Sequence, residues 1–173
     1  MAFTTKKTAG DTNAFNRPPP DLTPTQAWEK IKPYCTYQER CHSEVKEKLY
    51  GYGLQRTDVE QLLSRLIEEK FLNEERFAIS YASGHFSIKK WGKIKITHGL
   101  RQKGVSAFCI KKALNEIDAD EYLSSLQKLA VQKWELLKKE RLVARQYKCR
   151  QYLLQKGFES SLANEAVKAV SNL

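Results

Sequence analysis

Apolar residues recur along this chain at intervals of three and four, the signature of helices that bury one face. Over 57–70 they are Val59, Leu62, Leu63, Leu66 and Ile67, behind a Thr57/Glu60 pair spaced as a capping box. Over 23–35 the pattern opens on Thr23, Pro24 and Gln26, which supply a capping hydroxyl, a proline at the first helical position and a second box. No stretch alternates apolar and polar residues over strand length, and no Asn-Gly turn joins two such stretches. An all-α chain is predicted.

One phrase occurs three times: LYGYGL at 49–54, LRQKGV at 100–105 and LLQKGF at 153–158. Each is a Leu, three residues, a Gly and an apolar residue. A glycine just past the last apolar position of a helix takes the left-handed C-terminal cap, and the next apolar residue folds back on the helix. The flanks agree. Val45/Leu49, Ile96/Leu100 and Cys149/Leu153 precede the three glycines as matched anchors. Val59/Leu62/Leu63, Ile110/Ala113/Leu114 and Ala163/Ala166/Val167 follow them. Upstream lie further helical stretches at 24–35, 74–88 and 120–139. The simplest organisation is three tandem three-helix repeats at 23–72, 73–118 and 119–173. They follow a flexible lead at 1–22 that contains the proline run 18–20. A single such unit is marginal alone, so neighbours share stability and the chain forms an elongated body that is free to curve.

Charge sharpens this picture. The formal net charge is +10. Residues 76–115 hold nine Lys and Arg and no acid, and residues 141–158 hold five and none. A solvated helix face mixes both signs, so these blocks predict a surface for a polyanion or for an acidic protein groove. A helix drawn over 90–103 places Gly92, Ile96, Gly99 and Leu100 on one face, where the glycines admit a neighbouring helix. The other face carries Lys90, Lys95, His98 and Arg101, with Trp91 and Ile94 among them. A tryptophan among cations suits contacts to phosphates or to protein, and packing of Trp91 on the next repeat fits equally well. The candidate surface comprises Lys89, Lys90, Trp91, Lys93, Lys95, Arg101, Lys103, Lys111 and Lys112 in the first block. In the second block it comprises Arg141, Arg145, Lys148, Arg150 and Lys156.

Other chemistry is sparse. Cys35, Cys41, Cys109 and Cys149 lack a paired spacing and are expected as small buried apolar residues. Glu74 and Glu75 open a helix, where acids complement the dipole. His42, His85 and His98 have no catalytic company, and neither a phosphate-binding loop nor a nucleophile motif is present. No enzyme activity, cofactor or metal is therefore expected. No apolar run reaches the roughly 20 residues of a membrane span. The opening MAFTTKKTAG lacks a secretory apolar core. The expectation is a cytoplasmic monomer.

Several segments resemble one family. FLNEERFA (71–78) is similar to the linker-plus-helix signature of RecX, the bacterial regulators of the recombinase RecA. YQERCHSEVKEKL (37–49) resembles that family's Arg-x-x-Ser-x-x-Glu-Leu-x-x-x-Leu helix, with Arg40 and Ser43 in the polar positions and Val45 where Leu is usual. In KKWGKIKITHGLRQKGV (89–105), Gly92, Ile96, Leu100, Lys103 and Gly104 match its Gly-x-x-x-Ile-x-x-x-Leu-x-x-Lys-Gly-Ile segment. YLLQKGF (152–158) with LANEAVKAV (162–170) resembles its third-repeat ending. The likeness spans about residues 25–172; the 22-residue lead, Pro33 and Gly84 depart from the pattern without touching its motifs. It implies an all-helical repeat protein that is not an enzyme. Such a protein binds the RecA–DNA filament and modulates it, mostly by inhibition, in recombination, DNA repair and the SOS response. The alternative is a stand-alone DNA-binding helical module, which predicts salt-sensitive binding to naked DNA. Against it, no short segment gathers the Arg, Asn and Gln needed for base readout.

Overall fold

A computed structural model describes residues 21–172 of the chain, so the expectation for the lead falls mostly on residues 1–20, outside the described part. Among the described residues, the regular elements are all helices. They are α1 (Pro24–Tyr37), α2 (His42–Tyr50), α3 (Arg56–Glu68), α4 (Glu74–Lys89), α5 (Lys93–Gln102), α6 (Ala107–Asn115), α7 (Ala119–Leu136), α8 (Leu142–Lys156) and α9 (Ser160–Ser171). The extensive helix–helix contacts all fall inside the triads α1–α3, α4–α6 and α7–α9, so the repeats run along the chain as an elongated body.

The repeated glycines do what their positions predict. Gly53, Gly104 and Gly157 have φ of +82°, +76° and +91°, the left-handed region that a side chain resists. After two of them the chain turns back in the same way: the Val105 N–H donates to the Leu100 carbonyl at 3.1 Å and the Phe158 N–H to the Leu153 carbonyl at 3.2 Å. Leu54, Val105 and Phe158 are all buried. The anchors Val45, Leu49, Ile96, Leu100, Cys149 and Leu153 are completely buried. All four cysteines are buried free thiols. Burial pushes the Cys35 thiol up to about 11, which keeps it protonated and apolar.

The details of helix ends depart from the sequence pattern in two places. Thr23 and Gln26 form their reciprocal box, but Thr57 does not start α3. The cap is Gln55, without a side-chain bond, which places Thr57 inside the first turn, and Glu60 meets Lys46 of α2 at 2.9 Å. Ile67 lies on the exposed side of α3. The helix drawn over 90–103 is also interrupted. Lys90 ends α4 in the left-handed conformation (φ +53°), Gly92 is the extended cap of α5, and Trp91 lies between them in the connector.

The core is divided unequally. One buried cluster belongs to the first repeat, running from Ala27 and Trp28 through Val45 and Leu63 to Leu72. A second runs continuously through the second and third repeats, from Phe77 through Ile96, Tyr122 and Leu153 to Val170. Cys41, the cap of α2, is the first-repeat residue that enters this second cluster.

Candidate functional site

The turn between α4 and α5 sets the site. The Gly92 N–H donates to the Lys156 carbonyl at 2.8 Å, and the Ile94 N–H to the Gly157 carbonyl at 3.0 Å. Backbones meet so closely that a Cβ on Gly92 would lie 2.2 Å from the Gly157 oxygen. Gly92 therefore admits the glycine turn of the third repeat rather than a helix. Gly99 accommodates the Tyr81 hydroxyl, which a Cβ there would meet at 2.3 Å.

This contact gathers lysines from both acid-free blocks. Lys89 and Lys95 place their ammonium groups 5.1 and 4.7 Å from the ring centre of half-buried Trp91. Lys156 donates to the Lys89 carbonyl at 3.2 Å, and Lys95 to the Gln155 carbonyl at 3.2 Å. The ammonium of Lys90 lies 5.8 Å from the Phe86 ring, and that of Lys93 lies 5.0 Å from the Tyr122 ring. Among the described residues, none of these five lysines forms a salt bridge. The result is a cationic surface around one tryptophan, with rings to hold the stems and no carboxylate to neutralise the heads.

Trp91 packs on α4 of its own repeat. Its ring lies 4.5 Å from His85, which stacks on Tyr81 at 3.9 Å. Ile94 is left exposed. Burial holds His85 below the ordinary histidine value; the bond from its ring to the Tyr81 carbonyl opposes this, and the charge of Lys89 adds to it.

Five of the eight other cationic candidates have partners of their own. Lys103 pairs with Glu44 at 2.5 Å, which raises its pKa mainly through that hydrogen bond. Lys112 holds Glu75 at 3.0 Å. Arg145 gives two hydrogen bonds to the Trp134 carbonyl, at 3.0 and 2.8 Å, and lies over that residue's ring. Lys148 pairs with Glu140, and Arg150 donates to Asn164 at 2.6 Å. Arg101, Lys111 and Arg141 are exposed, on α5, on α6 and at the start of α8.

The sequence pattern passed over Tyr122, which organises the site, and gave Glu74 only a dipole role. Tyr122, buried in α7, accepts from the Lys93 N–H at 3.0 Å and donates to Glu159 at 2.7 Å. Burial, then Glu159, raises its phenol far above the usual range, so it stays a donor. Glu74 is more than a dipole partner. Its carboxylate accepts from the Ser106 N–H at 2.8 Å and from the Ser106 hydroxyl at 3.1 Å, and so caps α6 from α4. Burial raises its pKa, but these bonds outweigh burial and leave it below the ordinary value. Only the spacing of Tyr122 within an apolar helix face marked it in the sequence.

Known proteins share this architecture. Models of the second and third three-helix domains of RecX match residues 73–114 and 120–167. The regulatory protein RecX of Clostridium tetani (strain Massachusetts / E88) is 33% identical over 131 residues, covering 75% of this chain and 58% of the relative. That of Clostridium perfringens (strain 13 / Type A) is 28% identical over 137 residues, covering 77% and 63%. The chain thus spans about three-fifths of the length of these relatives. A crystal structure of regulatory protein RecX superposes with a TM-score of 0.77 at 27% identity, covering 84% of this chain and 71% of that one. With both domain matches falling on the glycine-turned triads, the chain belongs to the RecX family.

Proposed function

We propose that this chain binds a RecA–DNA filament and restrains its activity, acting by occupancy rather than by chemistry. The observation that carries this reading is the unneutralised lysine cluster around Trp91, built where two repeats meet in a member of a regulatory family. Ammonium groups on flexible stems suit phosphates or acidic side chains, both of which a protein–DNA filament offers. An elongated body can span more than one filament subunit, so that a single copy hinders strand exchange or filament extension. The partner would place the protein in the cytoplasm, as a monomer.

The stand-alone DNA-binding module draws on one feature: α6, the last helix of its triad, exposes Phe108 beside Lys111 and Lys112. The deciding experiment is recombinase ATPase on single-stranded DNA, with and without this protein, beside its binding to the same DNA alone. The filament reading expects ATPase to fall at concentrations that leave naked DNA unbound. A Lys89→Glu/Lys90→Glu variant should need about tenfold more protein for the same inhibition, with its helical fold intact. Inhibition that appears only when the DNA is saturated would favour the DNA-binding module.

A further inference from the structure

The three repeats are not equal in their second helix. Helices α2 and α5 are 9 and 10 residues long, whereas α8 has 15. Counted back from the repeated glycine, α2 and α5 both start 11 residues before it and α8 starts 15 before it, so most of the surplus lies at the start of α8. Its neighbour α7, at 18 residues, is also the longest first helix, against 14 and 16 for α1 and α4. The third helix, α9, has 12 residues. The end of α7 and the start of α8 thus form a helical hairpin tip with no counterpart in the other repeats.

This tip is braced inside and bare outside. Arg145 ties α8 to the Trp134 carbonyl of α7, and Lys148 reaches Glu140 in the turn. Yet Leu136 is 80% exposed, Leu142 58%, Val143 78% and Tyr147 61%. Val143 and Tyr147 are four residues apart and share one helix face. Scattered apolar residues on a surface are ordinary, but four at one hairpin end make a patch. Lys138, Lys139 and Arg141, all exposed in the same turn, form no salt bridge among the described residues.

We infer that the α7–α8 tip is a second docking surface, one that seats on an acidic, apolar-floored groove of the filament's protein; this rests on the filament reading above. The apolar side chains call for an apolar floor, and the three cations around them call for carboxylates at its rim. Lys138, Lys139, Arg141 and the Tyr147 ring suit nucleic acid as well, but the exposed aliphatic side chains of Leu136, Leu142 and Val143 find no partner there, which favours a protein groove. A second copy is also disfavoured. A two-fold contact centred on the tip would bring the cations Lys138, Lys139 and Arg141 of both copies close together.

The test uses the full chain, a fluorescent recombinase filament on single-stranded DNA, and the same DNA without recombinase. Leu136→Ser/Val143→Ser and Lys138→Glu/Arg141→Glu should each weaken filament binding about tenfold. Binding to naked DNA after the serine changes, and the thermal melt of both variants, should stay as in the unaltered chain. If the unaltered chain binds the filament and both variants bind equally well, the docking inference is overturned and the filament reading stands. If the unaltered chain fails to bind the filament, both fall. Dimerisation that the serine variant abolishes would assign the patch to a second copy and overturn the inference.

Discussion

Between the first and second repeats the chain is joined by side chains, while between the second and third it is joined backbone to backbone. At the first junction Glu39 meets Arg76 at 2.8 Å and Glu44 meets Lys103 at 2.5 Å. The Ser43 hydroxyl donates to the Lys103 carbonyl at 3.0 Å, and Cys41 is the buried plug. These charged side chains are all partly open to solvent, where ion pairs are screened and weak. At the second junction two glycine turns interlock, Tyr122 links the Lys93 backbone to Glu159, and the rings of Phe86, Tyr122 and Phe158 follow one another at 5.7 and 5.2 Å. Two identical repeat joints in the sequence plan have therefore become one latch and one core. The cationic cluster sits on the joint that shares a core and backbone hydrogen bonds, which favours a geometry set before any partner arrives.

Breaking the interlock should have the largest effect. Gly92→Val drives a side chain into the Gly157 backbone, and neither main chain can yield without losing its hydrogen bonds. A loss of about 3–4 kcal/mol is expected, seen as a fall of about 10 °C in the melting temperature. Gly104→Val is the control, because nothing lies within 4 Å of the added Cβ and only the positive φ resists. It should cost about 1–2 kcal/mol in a urea titration.

Tyr122→Phe comes next. It keeps the ring stack but strands the Lys93 N–H and the Glu159 carboxylate, at an expected cost of about 1–3 kcal/mol by chemical denaturation. At the latch, a double-mutant cycle with Glu44→Gln and Lys103→Met should return a coupling below about 1 kcal/mol that fades in 1 M salt. A larger, salt-independent coupling would mean that the two junctions are alike after all.

The smallest effect is a pH dependence at His85, which lines an open cleft of about 270 Å³ with Gln38 and Glu39 of the first repeat. Its Nδ1–H donates to the Tyr81 carbonyl at 2.9 Å, which leaves Nε2 to accept from Lys89 at 3.3 Å. Its folded pKa lies below the ordinary 6.5, mainly through burial, so the unfolded chain binds the proton better. The stabilisation is fully present above pH 6.5 and declines as the pH falls through the folded value. His85→Gln should flatten this slope in melts recorded between pH 5 and 7, and NMR titration of the ring should give the depressed value directly.

The helices, the triads and the anchors of each core were legible in the sequence because their causes are local. Three-four periodicity dictates a buried face, and a glycine in the right place dictates a left-handed turn; Ile96, Leu100, Leu153 and Gly157 needed no knowledge of distant neighbours. The Thr57 box did not form, since α3 starts at Arg56 and holds Thr57 inside its first turn, while Glu60 meets Lys46 on another helix. Charge followed the same division. That two blocks carry cations without acids follows from the order of residues alone, whereas which of those cations remain free follows from how the helices pack. Lys103 and Lys112 acquired carboxylates 59 and 37 residues away, whereas Lys89 and Lys156, 67 residues apart, came together without one. Pairing depends on separation in space, which falls outside any local pattern, and so does the meeting of Gly92 with Gly157 that turned two repeats into one core.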